Sequence, residues 1–139
     1  MITFRIVPAK EAEEVWPEVR KYIVAALKVS DWGHAPFQIL ELIKSGVLHL
    51  AVIEEAGKYL AAATIQITDY STFKRCRVQL CGGEEMNLWI DHIRSIEDFA
   101  RSLGCDVARI VGRKGWVKVL PDWKETGVVL DKRLADEAV

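Results

Sequence analysis

The sequence lacks any apolar run close to the roughly 18–20 residues that a membrane-spanning helix needs, so no membrane association is expected. The first six residues form a short segment in which apolar and polar side chains alternate, which is not typical of a secretory signal peptide. It also lacks an excess of charge of one sign, since 19 basic and 20 acidic residues leave a formal net charge of −1. Nucleic-acid binding is therefore not expected without a local basic patch.

Cysteine is scarce, and its spacing suits no metal site. Cys76, Cys81 and Cys105 include no CxxC pair and no cysteine–histidine ligand pattern. We expect three reduced thiols in a cytoplasmic protein, with no structural zinc and no other metal.

Linkers, repeats and low-complexity segments are also lacking before the last few residues. What is present is ordinary for a globular protein, with 50% apolar and 28% charged residues in a chain of 139. That length suits one domain with a real core. We expect a single domain over residues 1–134 and a short carboxy-terminal tail over 135–139.

Hydrophobic periodicity predicts an alternation of strands and helices. Period-two alternation indicates strands, and apolar residues near 100° spacing indicate helices. The predicted strands are 2–6, 47–53, 59–68, 73–81, 107–111 and 126–130, and the predicted helices are 11–28, 37–44, 85–103 and 116–120. This order, β-α-α-β-β-β-α-β-α-β, predicts an α/β domain with a mixed sheet.

The most informative residues, Cys81 to Glu85, lie between the fourth predicted strand and the third predicted helix. A glycine turn at a helix N-terminus can bind a phosphate, because backbone N–H groups and the helix dipole point at the anion. The alternative is a tight connection, in which glycine supplies a positive φ and the two acids cap the helix. Two carboxylates without counter-ions would each cost a bound diphosphate about 1 kcal/mol or more, which favours the alternative.

Three further segments resemble a known family. They are Ile96–Ala100, Gly112–Trp116 and the stretch from Trp123 to Leu134. Together with Cys81–Glu84 and the element order, they resemble the GNAT N-acetyltransferase superfamily. The resemblance is closest to the small GNAT-like proteins that tailed bacteriophages encode among their head and tail genes. It covers nearly the whole chain and implies a mixed, mostly antiparallel sheet with helices on both faces.

The resemblance also implies a cleft for acetyl-CoA where the fourth and fifth strands separate, with the pyrophosphate on the loop after the fourth strand. The loop matches in part, because its second glycine falls one place early and Glu84 and Glu85 stand where the family prefers uncharged residues. The cofactor-binding candidates are Gln79, Leu80, Cys81, Gly82, Gly83 and Arg113.

Candidates for acid–base catalysis are few. The short helix over residues 116–120 lacks the tyrosine that often protonates the departing thiolate in the family. His34, in the loop between the first two helices, would help to wall the acceptor site. Asp69 and Tyr70, at the turn before the fourth strand, could reach an acceptor amine. A surface-loop role is the alternative for His34.

Two basic runs flank the predicted cleft. They could form one patch that holds CoA phosphates, an acidic partner or nucleic acid, or they could be solvent-facing charges balanced by nearby acids. The runs comprise Lys74, Arg75 and Arg77 before the cleft and Arg113, Lys114 and Lys118 after it.

Two functions from different classes follow from the resemblance. The first is an acyl-CoA-dependent N-acetyltransferase with a degenerate pyrophosphate loop, acting in the cytoplasm on a small-molecule substrate. The second is a non-catalytic phage protein that uses the fold in virion assembly, with phage structural proteins as partners, in the host cytoplasm or the virion. Either could form a homo-oligomer.

Overall fold

The computed structural model describes residues 1–30, 32–112 and 115–135. Its strands are β1 (Ile2–Val7), β2 (His49–Glu55), β3 (Lys58–Asp69), β4 (Lys74–Gly83) and β5 (Val107–Ile110). Its α-helices are α1 (Ala12–Lys28), α2 (Pro36–Lys44), α3 (Met86–Trp89), α4 (Ile93–Ser102) and α5 (Gly115–Val119). Single 3₁₀ turns occupy Ala9–Glu11 and Ile90–His92.

The strands form one sheet in the order β1-β2-β3-β4-β5. Strands β1 to β4 pair antiparallel, and β5 pairs parallel to β4. The expected mixed, mostly antiparallel sheet is therefore confirmed. Parallel pairing requires a crossover, which the segment from α3 to α4 provides.

Helices cover both faces of the sheet, as expected. On one face the core joins α1 and α2 to the sheet through residues such as Ile23, Ile39 and Leu50. On the other face α4 packs on the sheet through Ile93 and Ile96. We call these the α1/α2 face and the α4 face. Because strand side chains alternate between faces, membership of one core or the other shows which way each residue points.

The helix predicted over residues 85–103 is interrupted. Its first part is the single turn α3, followed by a 3₁₀ turn and then α4. Glu85 adopts a left-handed conformation with φ 51° before α3. Trp89 is buried, and its indole N–H donates to the carbonyl oxygen of Glu84 over 2.7 Å. This bond ties the start of the segment to the end of β4.

The predicted last strand, 126–130, is wrong. Residues 124–134 form neither helix nor strand, and Val128 and Leu130 are 80% and 90% exposed. Val and Leu after a turn favour a strand, but a strand also needs a hydrogen-bonded neighbour, which no local pattern supplies. Of the predicted tail over 135–139, residues 136–139 lie outside the described part of the chain.

Close backbone contact explains the paired glycines at the end of β4. A Cβ on Gly82 would overlap the carbonyl oxygen of Tyr22 in α1, and one on Gly83 would lie 2.6 Å from the Leu60 carbonyl oxygen in β3. Neither glycine has a positive φ, so the expectation that they supply a left-handed turn is wrong. They let α1 and β3 approach β4 closely.

We expect Gly82→Ala to lower the free energy of unfolding by about 1–3 kcal/mol, because α1 must move away from β4 to admit the methyl group. Urea unfolding measures the change. Gly127→Ala is the matched control, since a Cβ there meets nothing within 4 Å. Equal losses in the two variants would contradict the close contact.

We expect Leu130→Asp to change the free energy of unfolding by no more than about 0.5 kcal/mol, because an exposed side chain loses no packing. The same substitution at Val52, which is fully buried in β2, should prevent folding or cost several kcal/mol. A large loss at Leu130 would mean that residues 126–130 do pair as a strand.

Candidate functional site

Strands β4 and β5 separate part-way along their length. Their pairing runs from Arg75 opposite Val107 to Val78 opposite Ile110. Strand β4 nevertheless stays paired with β3 as far as Gly83. Residues 79–83 therefore have a neighbour on the β3 side only, among the residues that the structure describes. We call the opening beside them the β4–β5 gap.

A β-bulge lies where the gap opens. The register between β3 and β4 shifts between Thr64 and Ile65, which leaves Gln79 without a direct partner on β3. A bulge bends its strand and increases its twist, so β4 turns at the residue where β5 ends. Gln79 and Leu80 are 5% and 2% exposed. These two of the six predicted cofactor-binding residues thus lie at the gap, with their side chains buried.

Cys81 faces the α4 core. With Trp89, Ala61 and Phe4 it lines an apolar cavity of about 10 Å³, close to the space that one water molecule needs. Burial raises the pKa of the Cys81 thiol to about 12. This shift favours the protonated thiol at neutral pH, which is a poor nucleophile.

The Glu84 side chain points away from the start of α3. Its carboxylate lies 3.5 Å from Lys21 Nζ of α1 and 3.7 Å from Lys58 Nζ of β3. The pKa of Lys21 is raised, first by the Tyr22 phenol and then by Glu84. Glu85 precedes α3 without a side-chain capping bond. The expectations that the two acids cap the helix and that both lack counter-ions are therefore wrong.

The loop fits a diphosphate poorly through its backbone. The Glu84 N–H donates to the carbonyl oxygen of Leu60 over 2.8 Å, so it cannot also point at an anion. The space beside Gly82 and Gly83 is filled by the protein's own backbone. Lys21 and Lys58 lie at this position, and the single carboxylate of Glu84 offsets one of their two positive charges.

The predicted catalytic candidates lie in different places. His34 packs its ring edge-on against Trp32, with the ring centroids 4.6 Å apart. Asp69 lies opposite Lys74 at the far end of β4 from the gap. The Tyr70 hydroxyl accepts a hydrogen bond from Nη1 of Arg75 over 3.2 Å. Arg113, the last cofactor candidate, lies outside the described residues.

The basic run on β4 divides between the two faces of the sheet. The Lys74 ammonium donates to the carbonyl oxygen of Leu103 on the α4 face over 2.6 Å. Cys76 and Val78 also belong to the α4 core, so Arg75 and Arg77, which alternate with them, point to the α1/α2 face. Lys114, in the second run, lies outside the described residues.

Sequence reasoning missed Arg109. Ile110 belongs to the α4 core, so Arg109 points to the α1/α2 face, directly opposite Arg77 in register. We call Arg75, Arg77 and Arg109 the arginine cluster. Alternation in residues 107–110 indicates that Arg109 points to the face opposite Ile110. Only the register of β5 against β4 places Arg109 beside Arg77.

Neither a metal cluster nor a membrane helix is found in the described part of the chain. No three His, Cys, Asp or Glu side chains there come together as metal ligands. No helix among these residues is long and apolar enough to span a bilayer.

No protein-family model matches the sequence, and no curated protein matches it significantly. Several solved structures match the whole fold. An aminoglycoside acetyltransferase from an uncultured soil metagenomic sample, solved with sisomicin, is 9% identical with a TM-score of 0.71, covering 96% of this chain and 97% of that chain. Glucosamine-6-phosphate N-acetyltransferase from Arabidopsis thaliana is 15% identical with a TM-score of 0.68, covering 97% and 99%.

A third match bears on the cofactor. A protein from Clostridium acetobutylicum, described as a predicted acetyltransferase and solved with acetyl-CoA, is 13% identical with a TM-score of 0.68, and the match covers 96% of both chains. A GNAT family acetyltransferase from Staphylococcus aureus matches with a TM-score of 0.69 at 10% identity, covering 96% of this chain and 98% of that chain. At such low identity the likeness concerns the fold. The chain has the fold of the GNAT acetyltransferases.

Proposed function

We propose that the protein is an acyl-CoA-dependent N-acyltransferase whose acyl-CoA lies in the β4–β5 gap. The observation that supports this most is the open edge of β4 beyond Val78, in a fold shared with an acetyltransferase solved with acetyl-CoA. In an antiparallel pair, alternate residues direct their N–H and C=O groups away from the partner strand. Residues 79–83 therefore direct backbone donors and acceptors into the gap.

These groups suit an acyl-transfer site. Bound acyl-CoA would supply an activated thioester carbonyl. A β4 backbone N–H in the gap would polarise that carbonyl, since a fixed donor in a water-poor site stabilises developing negative charge. The buried side chains of Gln79 and Leu80 limit solvent there. An acceptor amine would lose its proton to water or to a carboxylate.

The pyrophosphate loop is degenerate in a specific way under this proposal. Its backbone is used in packing, and its two lysines bind Glu84. The phosphates of acyl-CoA would share Lys21 and Lys58 with the Glu84 carboxylate, which would repel them. The expected result is weak binding, limited by competition within the protein.

A non-catalytic assembly role is the second candidate. The exposed apolar residues after α5 support it, because a concentration of exposed apolar side chains often marks a protein contact. Val128, Val129, Leu130 and Leu134 are 67–90% exposed. A role among phage head or tail proteins rests on the sequence resemblance alone.

We expect Glu84→Gln to bind acetyl-CoA roughly fivefold more tightly than the wild type, since removing one nearby like charge is worth about 1 kcal/mol. Thermal unfolding with increasing acetyl-CoA, free CoA or ATP measures the affinity. At 100 times its Kd a ligand stabilises by about 2.7 kcal/mol, which gives a clear shift. Glu41→Gln is the control, because Glu41 pairs with Lys44, away from the loop.

A second arm assigns the gain to the lysines. Adding Lys21→Ala and Lys58→Ala to Glu84→Gln should return the affinity to the wild-type value or below it. Unchanged tight binding in that triple variant would show that other residues hold the phosphates. Absence of an acetyl-CoA shift at millimolar concentration in both wild type and Glu84→Gln would refute the acyltransferase and favour the assembly role.

A further inference from the structure

The arginine cluster has no counter-ion among the residues that the structure describes. None of the ion pairs within that part of the chain includes Arg75, Arg77 or Arg109. All three residues are half-buried. Nε of Arg75 and Nε of Arg77 are shielded from solvent and lack an acceptor. A shielded donor without an acceptor is costly, and a cationic one more so.

The acids nearest in sequence serve the other face of the sheet. The Asp106 carboxylate accepts the backbone N–H of Lys74 over 3.0 Å. Asp69 follows Ile65 and Ile67 at every second position along β3, and both isoleucines belong to the α4 core, so its side chain points to the α4 face. Neither carboxylate forms an ion pair with the cluster within the described part of the chain.

One guanidinium of the cluster is held in place by neighbours. Arg75 lies 5.1 Å from the ring centroids of both Tyr70 and Phe73, which stack on each other. Its Nη1 also donates to the Tyr70 hydroxyl. Aromatic contacts of this kind fix the planar group, which leaves its other donors available in a defined direction.

Arg77 and Arg109 are direct register partners on neighbouring strands. Arg77 and Arg109 face the same side from paired strands, which in a sheet lie about 5 Å apart. Like charges at such positions destabilise a sheet, and each guanidinium has donors that match an oxyanion bidentately. Gln66, opposite Arg77 on β3, adds an amide on the same face. The arrangement is costly without an anion and well suited to one.

We propose that the arginine cluster binds an oxyanion, a carboxylate or phosphate, carried by the amine that the protein acylates. Arg77 and Arg109 lie one register position before Val78 and Ile110, where the gap opens. Since a strand rises about 3.3 Å per residue, the Cα atoms of Arg77 and Gln79 lie roughly 7 Å apart, which puts the cluster beside the start of the gap. The acceptor assignment rests on the acyltransferase proposed above, whereas the oxyanion site does not.

Anion binding is tested first without acetyl-CoA. Thermal unfolding is followed in sodium phosphate and in sodium succinate, each against sodium chloride at equal ionic strength. We expect one of the two anions to raise the unfolding midpoint by several degrees more than chloride does. A larger shift with phosphate assigns a phosphate group, and a larger shift with succinate assigns a carboxylate. Equal midpoints in all three salts would overturn the site.

The variants are Arg77→Gln, Arg109→Gln and the two combined, with Arg101→Gln as the matched control. Arg101 is paired with Glu97 and Asp98 on α4. In the cluster variants, the anion affinity derived from the midpoint shifts should fall at least tenfold. Their unfolding midpoints in chloride should stay equal to or above that of the wild type, because repulsion between the arginines is relieved. A shift that survives in both single variants and the double variant would overturn the site.

Acetyl transfer is tested with matched amines, using release of the CoA thiol as the readout. Glucosamine 6-phosphate is compared with glucosamine, and glycine with glycinamide. We expect kcat/KM to be at least tenfold higher for the anionic member of one pair, and the preference to fall in Arg77→Gln but not in Arg101→Gln. Transfer without this preference overturns the acceptor assignment alone.

Failure of the proposed acyltransferase activity would give a different pattern of results. An anion shift that depends on the arginines, in a protein that neither binds acetyl-CoA nor acylates any amine, overturns the acyltransferase and the acceptor assignment together. The oxyanion site is then supported by itself.

Discussion

The unequal pairing on the two sides of β4 is the constraint on which the candidate site depends. Strand β3 pairs with β4 up to Gly83, whereas β5 pairs with it over four residues. The long ladder keeps β4 rigid after its other neighbour has ended. Among the described residues, backbone groups that a continuous sheet would satisfy are thereby left at an open edge of β4. Unpaired backbone groups need a hydrogen-bond partner, and an extended ligand arm can supply one.

The sequence predicted the elements better than their relationships. Alternation identified all five strands and the long helices, since these follow from local patterns. The register of β5, which opens the gap and sets Arg109 beside Arg77, is a non-local property. The last strand failed for a related reason, because Val128 to Leu130 have strand-like chemistry but no neighbour. Of the site residues, Gln79 and Leu80 were placed at the gap from the sequence. The contacts of Glu84 with Lys21 and Lys58, which are 63 and 26 positions away in the chain, could not be predicted, because they depend on the tertiary fold.

The paired glycines show how one local pattern can serve two physical purposes. Gly82 and Gly83 were expected either to bind an anion or to turn the chain. In the structure they are extended, and their missing side chains make room for α1 and β3. Glu85 takes the left-handed turn instead. A phosphate-binding loop needs small residues whose open side faces the ligand. Here the open side faces the protein, so the same residues strengthen the fold and weaken the backbone as an anion site.

Two groups of cations therefore flank the gap in opposite electrostatic states. Lys21 and Lys58 share the carboxylate of Glu84, so an anion that binds there is also repelled by that carboxylate. Arg75, Arg77 and Arg109 have no carboxylate of their own in the described structure, so an anion that reaches them relieves repulsion as well as gaining attraction. Side chains that repel one another without a ligand are a feature of binding sites more than of scaffolds, because a scaffold would gain stability by replacing them. Under the proposed function, this imbalance favours the arginine cluster as the part of the molecule that selects the ligand.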